Sequence, residues 1–176
     1  MSEATKEPWL NQLALVTVIL AVCATLSTFK GGGYSTKSLI NQQLASDQWA
    51  YYQAKSTKQN LYELQIGQLE LQLQTLPPNS PALAAYTAKL GEYKGKVAHY
   101  DDDRKKAEQT ARAFEAERDD AQKHGKPFGL AVIFLQVAIL MSSIAALMKR
   151  RAIWLAALPL GVVGVAYFFD GFWLFF

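Results

Sequence analysis

One cysteine, two histidines and six prolines are all that these 176 residues contain. A lone Cys23 excludes an internal disulfide. It does not reveal the redox compartment, because a thiol inside an apolar run is shielded from solvent. His99 and His124 have no cysteine at zinc-ligand spacing. No glycine-rich phosphate loop and no nucleophile–base pairing occurs. The expectation is therefore a non-enzymatic protein with no catalytic residue, no cofactor and no metal. Asp101-Asp102-Asp103 is followed at once by Arg104-Lys105-Lys106, so it reads as a solvated face of i,i+4 ion pairs rather than a cation site.

Charge is missing from three stretches: Trp9 to Phe29, Phe128 to Met148, and Ala152 to about Phe169. Each is close to the roughly 20 apolar residues that a helix needs to cross a bilayer core. Between the first two lies residues 30–127, with 14 of the 18 basic and 12 of the 15 acidic residues, a net of +2. Such balance lacks the basic face of a nucleic-acid binder. The expected architecture is all-α, an integral membrane protein with three transmembrane helices and an extramembrane antiparallel coiled-coil hairpin. Its parts are a tail at 1–8, spans at 9–29 and 128–148, a hairpin at 30–127, a cationic turn at 149–151, and a third span with an aromatic anchor at 152–176. The first span is too long for a signal-peptide core, and Val22 before Cys23 spoils a lipoprotein box. Lys149-Arg150-Arg151 should remain in the cytoplasm under the positive-inside rule. The favoured topology is an inner-membrane protein with a cytoplasmic N-terminus and a periplasmic hairpin.

Within the insert the arms are expected at about 38–76 and 81–124. Pro77-Pro78-Asn79-Ser80-Pro81 breaks the helix, with Ser80 as N-cap and Pro81 in the first helical position. Leu83, Tyr86, Leu90, Tyr93, Val97, Tyr100, Arg104, Ala107, Ala111, Phe114, Arg118 and Ala121 alternate spacings of three and four, a heptad seam. Tyr62, Ile66, Leu69, Leu73 and Leu76 match it on the first arm. A second stripe, Leu44, Tyr51, Ala54, Leu61, Leu64 and Leu71, lies beside that one, and two helices cannot cover both. Gly31-Gly32-Gly33 and Gly125-Lys126-Pro127 should end the helices at the membrane, as plain turns in preference to hinges.

Small residues recur in the spans at Thr17, Ala21 and Thr25, at Ala138, Ser142 and Ala146, and at Ala157, Gly161 and Gly164, positions suited to close helix packing in lipid. Gln136 is expected to be buried and to hydrogen-bond across a helix interface. Pro159 predicts a kink, and Asp170 among its aromatics predicts headgroup-level anchoring.

The run Ser46-Asp47-Gln48-Trp49-Ala50-Tyr51-Tyr52-Gln53-Ala54-Lys55-Ser56, with Gln59 and Leu61-Tyr62-Glu63-Leu64, is distinctive. Together with the flanking spans it resembles the bacterial membrane family catalogued as domain of unknown function 4337. The resemblance implies a bacterial membrane protein without an assigned activity, and no catalytic residue. The interaction surface is expected at Leu44, Trp49, Tyr51, Tyr52, Lys55, Leu61 and Leu64. Trp49 and Tyr52 face either a partner or Ala107, Ala111 and Phe114 of the same chain. The functional expectation is a homo-oligomeric membrane scaffold or assembly protein, with lipids and further copies as partners and a protein partner possible at the hairpin. The alternatives are a channel or small-transporter subunit, or an accessory subunit of a larger complex.

Overall fold

A computed structural model describes residues 8–77 and 79–175. The expectations for the tail before Pro8, for Pro78 and for Phe176 lie outside the described residues. The fold is all-α: α1 is Pro8–Thr75, α2 is Ala82–Met148 and α3 is Arg151–Trp173. All three are long and apolar enough to cross a membrane by length and composition. The chain divides into two compact units, one of Met1–Leu39 with Arg118–Phe176 and one of Ile40–Glu117.

In the first unit, α1 runs unbroken through Gly31-Gly32-Gly33 and α2 runs unbroken through Gly125-Lys126-Pro127. This corrects the expected breaks. Three glycines cost a helix about 1 kcal/mol each, and an internal proline about 3 kcal/mol. Ending a helix instead leaves up to four amides and four carbonyls without helical partners, and each that is buried unpaired costs about 1–3 kcal/mol. Packing also fixes the glycines. A Cβ on Gly31 would stand 3.1 Å from Phe128 Cβ, and one on Gly125 would stand 3.4 Å from Tyr34 Cβ, whereas Gly32 and Gly33 meet open space. Gly31 and Gly125 thus mark a close approach of two backbones. The side chains released by that approach stack: Tyr34 lies on His124 and on Phe128, with centroids 5.1 and 6.0 Å apart.

The core of this unit is Leu20, Ala24, Phe128, Ala131, Leu135, Ala138 and Phe168. A smaller cluster of Leu13, Ala145 and Trp154 packs with Trp9. α3 enters the core through Ala157, Gly161, Gly164, Phe168 and Gly171, spaced by three and four. A Cβ on Gly164 would meet Leu135 Cγ at 2.7 Å, and one on Gly171 would meet the Phe128 ring at 2.8 Å. α3 keeps its helical bounds through Pro159.

The turn between α2 and α3 has a specific geometry. Lys149 N–H donates to Ala146 O and Arg150 N–H to Ala145 O, at 3.3 and 3.1 Å, and Lys149 has φ 51°. This is a Schellman ending with lysine in the left-handed position that glycine usually fills.

In the second unit, α1 ends at Thr75 and α2 begins at Ala82, and between them Ser80 N–H donates to Pro77 O at 3.0 Å. Ser80 Oγ accepts the Ala82 amide at 3.3 Å, and its carbonyl accepts Leu83 N–H at 3.1 Å. From Ile40 to Glu117 the two helical segments lie side by side and antiparallel. Trp49 meets Glu115, Lys55 meets Asp103, and Glu70 meets Lys94.

Candidate interaction surface

Two faces of α1 in the second unit carry the distinctive residues. The inward face is Trp49, Tyr52, Lys55, Gln59 and Tyr62, at spacings of three and four. Trp49 Nε1 donates to Glu115 Oε1 at 2.9 Å. Lys55 Nζ donates to Asp103 Oδ2 at 2.7 Å, and it lies over the Tyr51 and Tyr100 rings. Arg104 reaches from α2 with Nη1 on Gln59 Oε1 at 2.7 Å and Nη2 on Tyr52 Oη at 2.8 Å. Tyr62 packs edge-on to Tyr93 and stacks with Tyr100. Aliphatic side chains are few here. Long amphipathic ones cover the seam with their stems and pair their heads at its rim.

These contacts displace protonation equilibria in the direction that favours the ions. The hydrogen bond that Lys55 donates to Asp103, helped by the Tyr51 hydroxyl, pushes the Lys55 ammonium well above the ordinary lysine range. The same bond holds the Asp103 carboxyl below its ordinary range. Along α2, the hydrogen bond between Lys105 and Asp101 raises the lysine and lowers the acid.

The outward face is the second stripe. Leu44, Tyr51, Ala54, Leu61, Leu64 and Leu71 are all exposed, with Leu61 at 55% and Leu64 at 68%. Isolated exposed leucines are ordinary, but a row of them along one helix face is not. The residues expected to form one interaction surface therefore fall into two sets. Trp49, Tyr52 and Lys55 engage α2 of the same chain, while Leu44, Tyr51, Leu61 and Leu64 face away from it. Sequence reasoning did not single out Gln59, Asp103 and Glu115 as seam partners. For Gln59 the signal was its spacing of four from Lys55 and of seven from Tyr52. The three adjacent aspartates concealed which one crosses to α1.

In the first unit, Ala138, Ser142, Gly161 and Gly164 lie buried at helix contacts, and Thr17 is half-buried with its hydroxyl bonded to Leu13 O at 2.8 Å. Ala21 and Thr25 face outward. The inward face of α1 is instead Leu13, Leu20, Ala24 and Ser27, on the opposite side of the turn. Gln136 is a correction. It is exposed, because its neighbours Leu135 and Ala138 occupy the inward positions. Asp170 is buried within the chain, at 2% exposed. It sits beside Gly171, whose missing side chain draws this turn of α3 against Phe128. Gly171 O also accepts or faces His124 Nδ1 at 2.9 Å, a contact no spacing in the sequence announced.

No curated protein and no solved structure matches the chain. The model of a protein family described as a domain of unknown function, DUF4337, matches residues 9–174, nearly the whole chain. This protein belongs to the DUF4337 family.

Proposed function

We propose that this protein is a non-enzymatic, self-associating membrane scaffold. Its three apolar helices anchor it in a bilayer, in the inner membrane of a bacterium. Its second unit is an antiparallel coiled-coil hairpin, periplasmic under the positive-inside rule, that joins one copy to another. One observation carries the reading: α1 keeps a row of apolar residues exposed, Leu44, Tyr51, Leu61, Leu64 and Leu71, with Asp47 and Lys58 among them, while Trp49, Tyr52 and Lys55 on its other face engage α2. Exposed apolar surface of that extent on a helix in water supports an interface. A second copy is the simplest occupant, since the stripe carries charges of both signs, Asp47 and Lys58, and so does not repel itself.

The test is the mass of the protein–detergent particle, corrected for bound lipid and detergent by light scattering. The expected result is a discrete multiple of the 19.5 kDa chain. Leu61→Asp with Leu64→Asp should reduce that multiple while circular dichroism stays helical. A monomer, or a stoichiometric foreign subunit, overturns self-association and assigns the stripe to a different partner.

A further inference from the structure

In the second unit α2 has an outward face of its own, on the side away from its seam with α1. Ala84, Ala88, Gly91, Gly95, Ala98 and Asp102 follow one another there at spacings of four, three, four, three and four, and all six are exposed. A Cβ on Gly91 or Gly95 would meet nothing within 4 Å. Each glycine costs its helix about 1 kcal/mol against alanine, and no contact within the chain requires either one. Together these residues leave a shallow groove along nearly bare backbone. The outward face of α1 is the converse, a ridge on which Leu61, Leu64 and Leu71 stay more than half exposed. Contacts inside the unit show which residues of the two helices stand level. Lys55 meets Asp103, Gln59 meets Arg104, and Glu70 meets Lys94. By the same progression, and within about one turn, Lys58 is level with Asp102, Leu61 with Ala98, Leu64 with Gly95, and Leu71 with Ala88 and Gly91.

We propose that the leucine ridge of α1 seats in the small-residue groove of α2 on a second copy, so that copies join head to tail in the plane of the bilayer. The inference rests on the self-association reading above and adds the two faces that meet and their register. α1 is one helix from Pro8 to Thr75, so in a single bilayer it runs the same way in every copy. Copies anchored at one depth meet with level residues opposed, and α1 of one lies antiparallel to α2 of the next. Leu61 then faces Ala98 of the partner subunit, Leu64 faces Gly95 of the partner subunit, and Leu71 faces Ala88 of the partner subunit. Large meets small in every layer, the arrangement that lets layers interdigitate. Lys58 comes level with Asp102 of the partner subunit. Ion pairs inside the hairpin draw on Lys55, Asp103, Lys105 and Asp101 and on neither of these two, so opposite charges meet at the edge of the seam. The ridge set level against its own copy would oppose leucine tip to leucine tip and leave the groove empty. Each copy carries one ridge and one groove, a heterologous pair, so the contact repeats beyond two copies.

Cysteine crosslinking of the full chain in mild detergent tests the pairing, on a Cys23→Ser background. Leu64 is exposed and a side chain on Gly95 meets open space, so cysteine at either position should leave the fold intact, which circular dichroism checks. Within one chain the two positions lie on outer faces with both helices between them. Each helix is about 10 Å across, which exceeds the ~7 Å that a disulfide spans between Cα atoms. Oxidation of the Leu64→Cys/Gly95→Cys chain should give a ladder of dimers, trimers and higher multimers, and neither single variant should crosslink. Crosslinking of Leu64→Cys alone would show ridge against ridge and overturn the pairing. An oligomeric mass without a ladder also overturns the pairing and leaves self-association standing. A monomeric mass, or a stoichiometric foreign subunit, overturns both. Gly95→Leu supplies the independent check. It should strengthen α2, because leucine far outranks glycine in a helix, yet fill the groove and lower the oligomer mass. A more stable helix with an unchanged mass sinks the groove as the docking face.

Discussion

The two units hold helices together by opposite means. In the first, contact comes from side chains that are missing: Gly31, Gly161, Gly164 and Gly171 let Phe128, Leu20 and Leu135 press against a bare backbone. In the second, contact comes from long side chains, Trp49, Tyr52, Lys55, Tyr62 and Arg104, that reach across and pair at their tips. If lipid surrounds the first unit as proposed, burying apolar surface gains little, so close van der Waals packing must hold it. Water surrounds the second unit in that reading, so covering aromatic surface is itself favourable, and polar heads satisfy themselves at the rim. One kind of packing is intolerant of added atoms and the other of lost polar partners.

The sharpest way to break this contrast is to add bulk to the first unit. Gly164→Leu should be the most damaging single change, costing about 3 kcal/mol or more by overpacking, because Leu135 stands 2.7 Å from where its Cβ would lie. Hydrogen exchange in nanodiscs should show loss of protection in residues 118–173 and little change in 40–117.

Removal of a polar partner should do the reverse. Arg104→Ala strips Tyr52 and Gln59 of their donor, at about 1–2 kcal/mol, toward the low end because the guanidinium is partly in water. Exchange should quicken in 40–117 only. Arg104→Lys should not rescue it, since one ammonium cannot reproduce the fork that serves two acceptors.

The glycine run separates the two rules within three residues. Gly32→Ala should stabilise α1 by roughly 0.8 kcal/mol, because its Cβ meets open space. Gly31→Ala should forfeit that gain and destabilise, since Phe128 Cβ lies 3.1 Å away and cannot move without its backbone. Thermal melts of both variants with the same sign would refute close approach as the reason for Gly31.

The smallest effect is that of pH. Asp103 ionises below its ordinary 3.8 when folded, so its contribution is complete above 3.8 and is lost as pH falls through the lower, folded value. Lys55 is raised above its ordinary 10.5, so its contribution is complete below 10.5 and disappears as pH climbs through the higher, folded value. Exchange protection of 40–117 should be flat between these limits and fall on both sides, and Asp103→Asn should flatten the acid side.

Periodicity made the faces legible. The seam residues of α2 from Tyr86 to Ala121 are buried or half-buried, and every member of the second stripe of α1 is exposed. Local propensity failed where a tertiary contact outweighed it. Gly31–Gly33 and Pro127 read as breaks because propensity counts each residue's own cost and cannot register Phe128 packed against Gly31. Gln136 was misplaced for a related reason. An amide in an apolar span suggests burial by its chemical type, whereas its position relative to Leu135 and Ala138 decided the outcome. The Lys55–Asp103 pairing depended on rotation about α2, which three consecutive aspartates leave undetermined.

The lysine at the end of α2 carries its own implication. A left-handed residue other than glycine gives up about 1 kcal/mol, and Lys149 occupies that conformation at φ 51°. Lys149→Gly should therefore tighten the turn, yet it would remove one of the three adjacent cations, Lys149, Arg150 and Arg151. If the helices span a bilayer as proposed, a cation kept here at the expense of local rigidity would serve the step that sets which end of each span stays on the side of synthesis. On that proposal the turn would preserve a record of how the chain entered its bilayer.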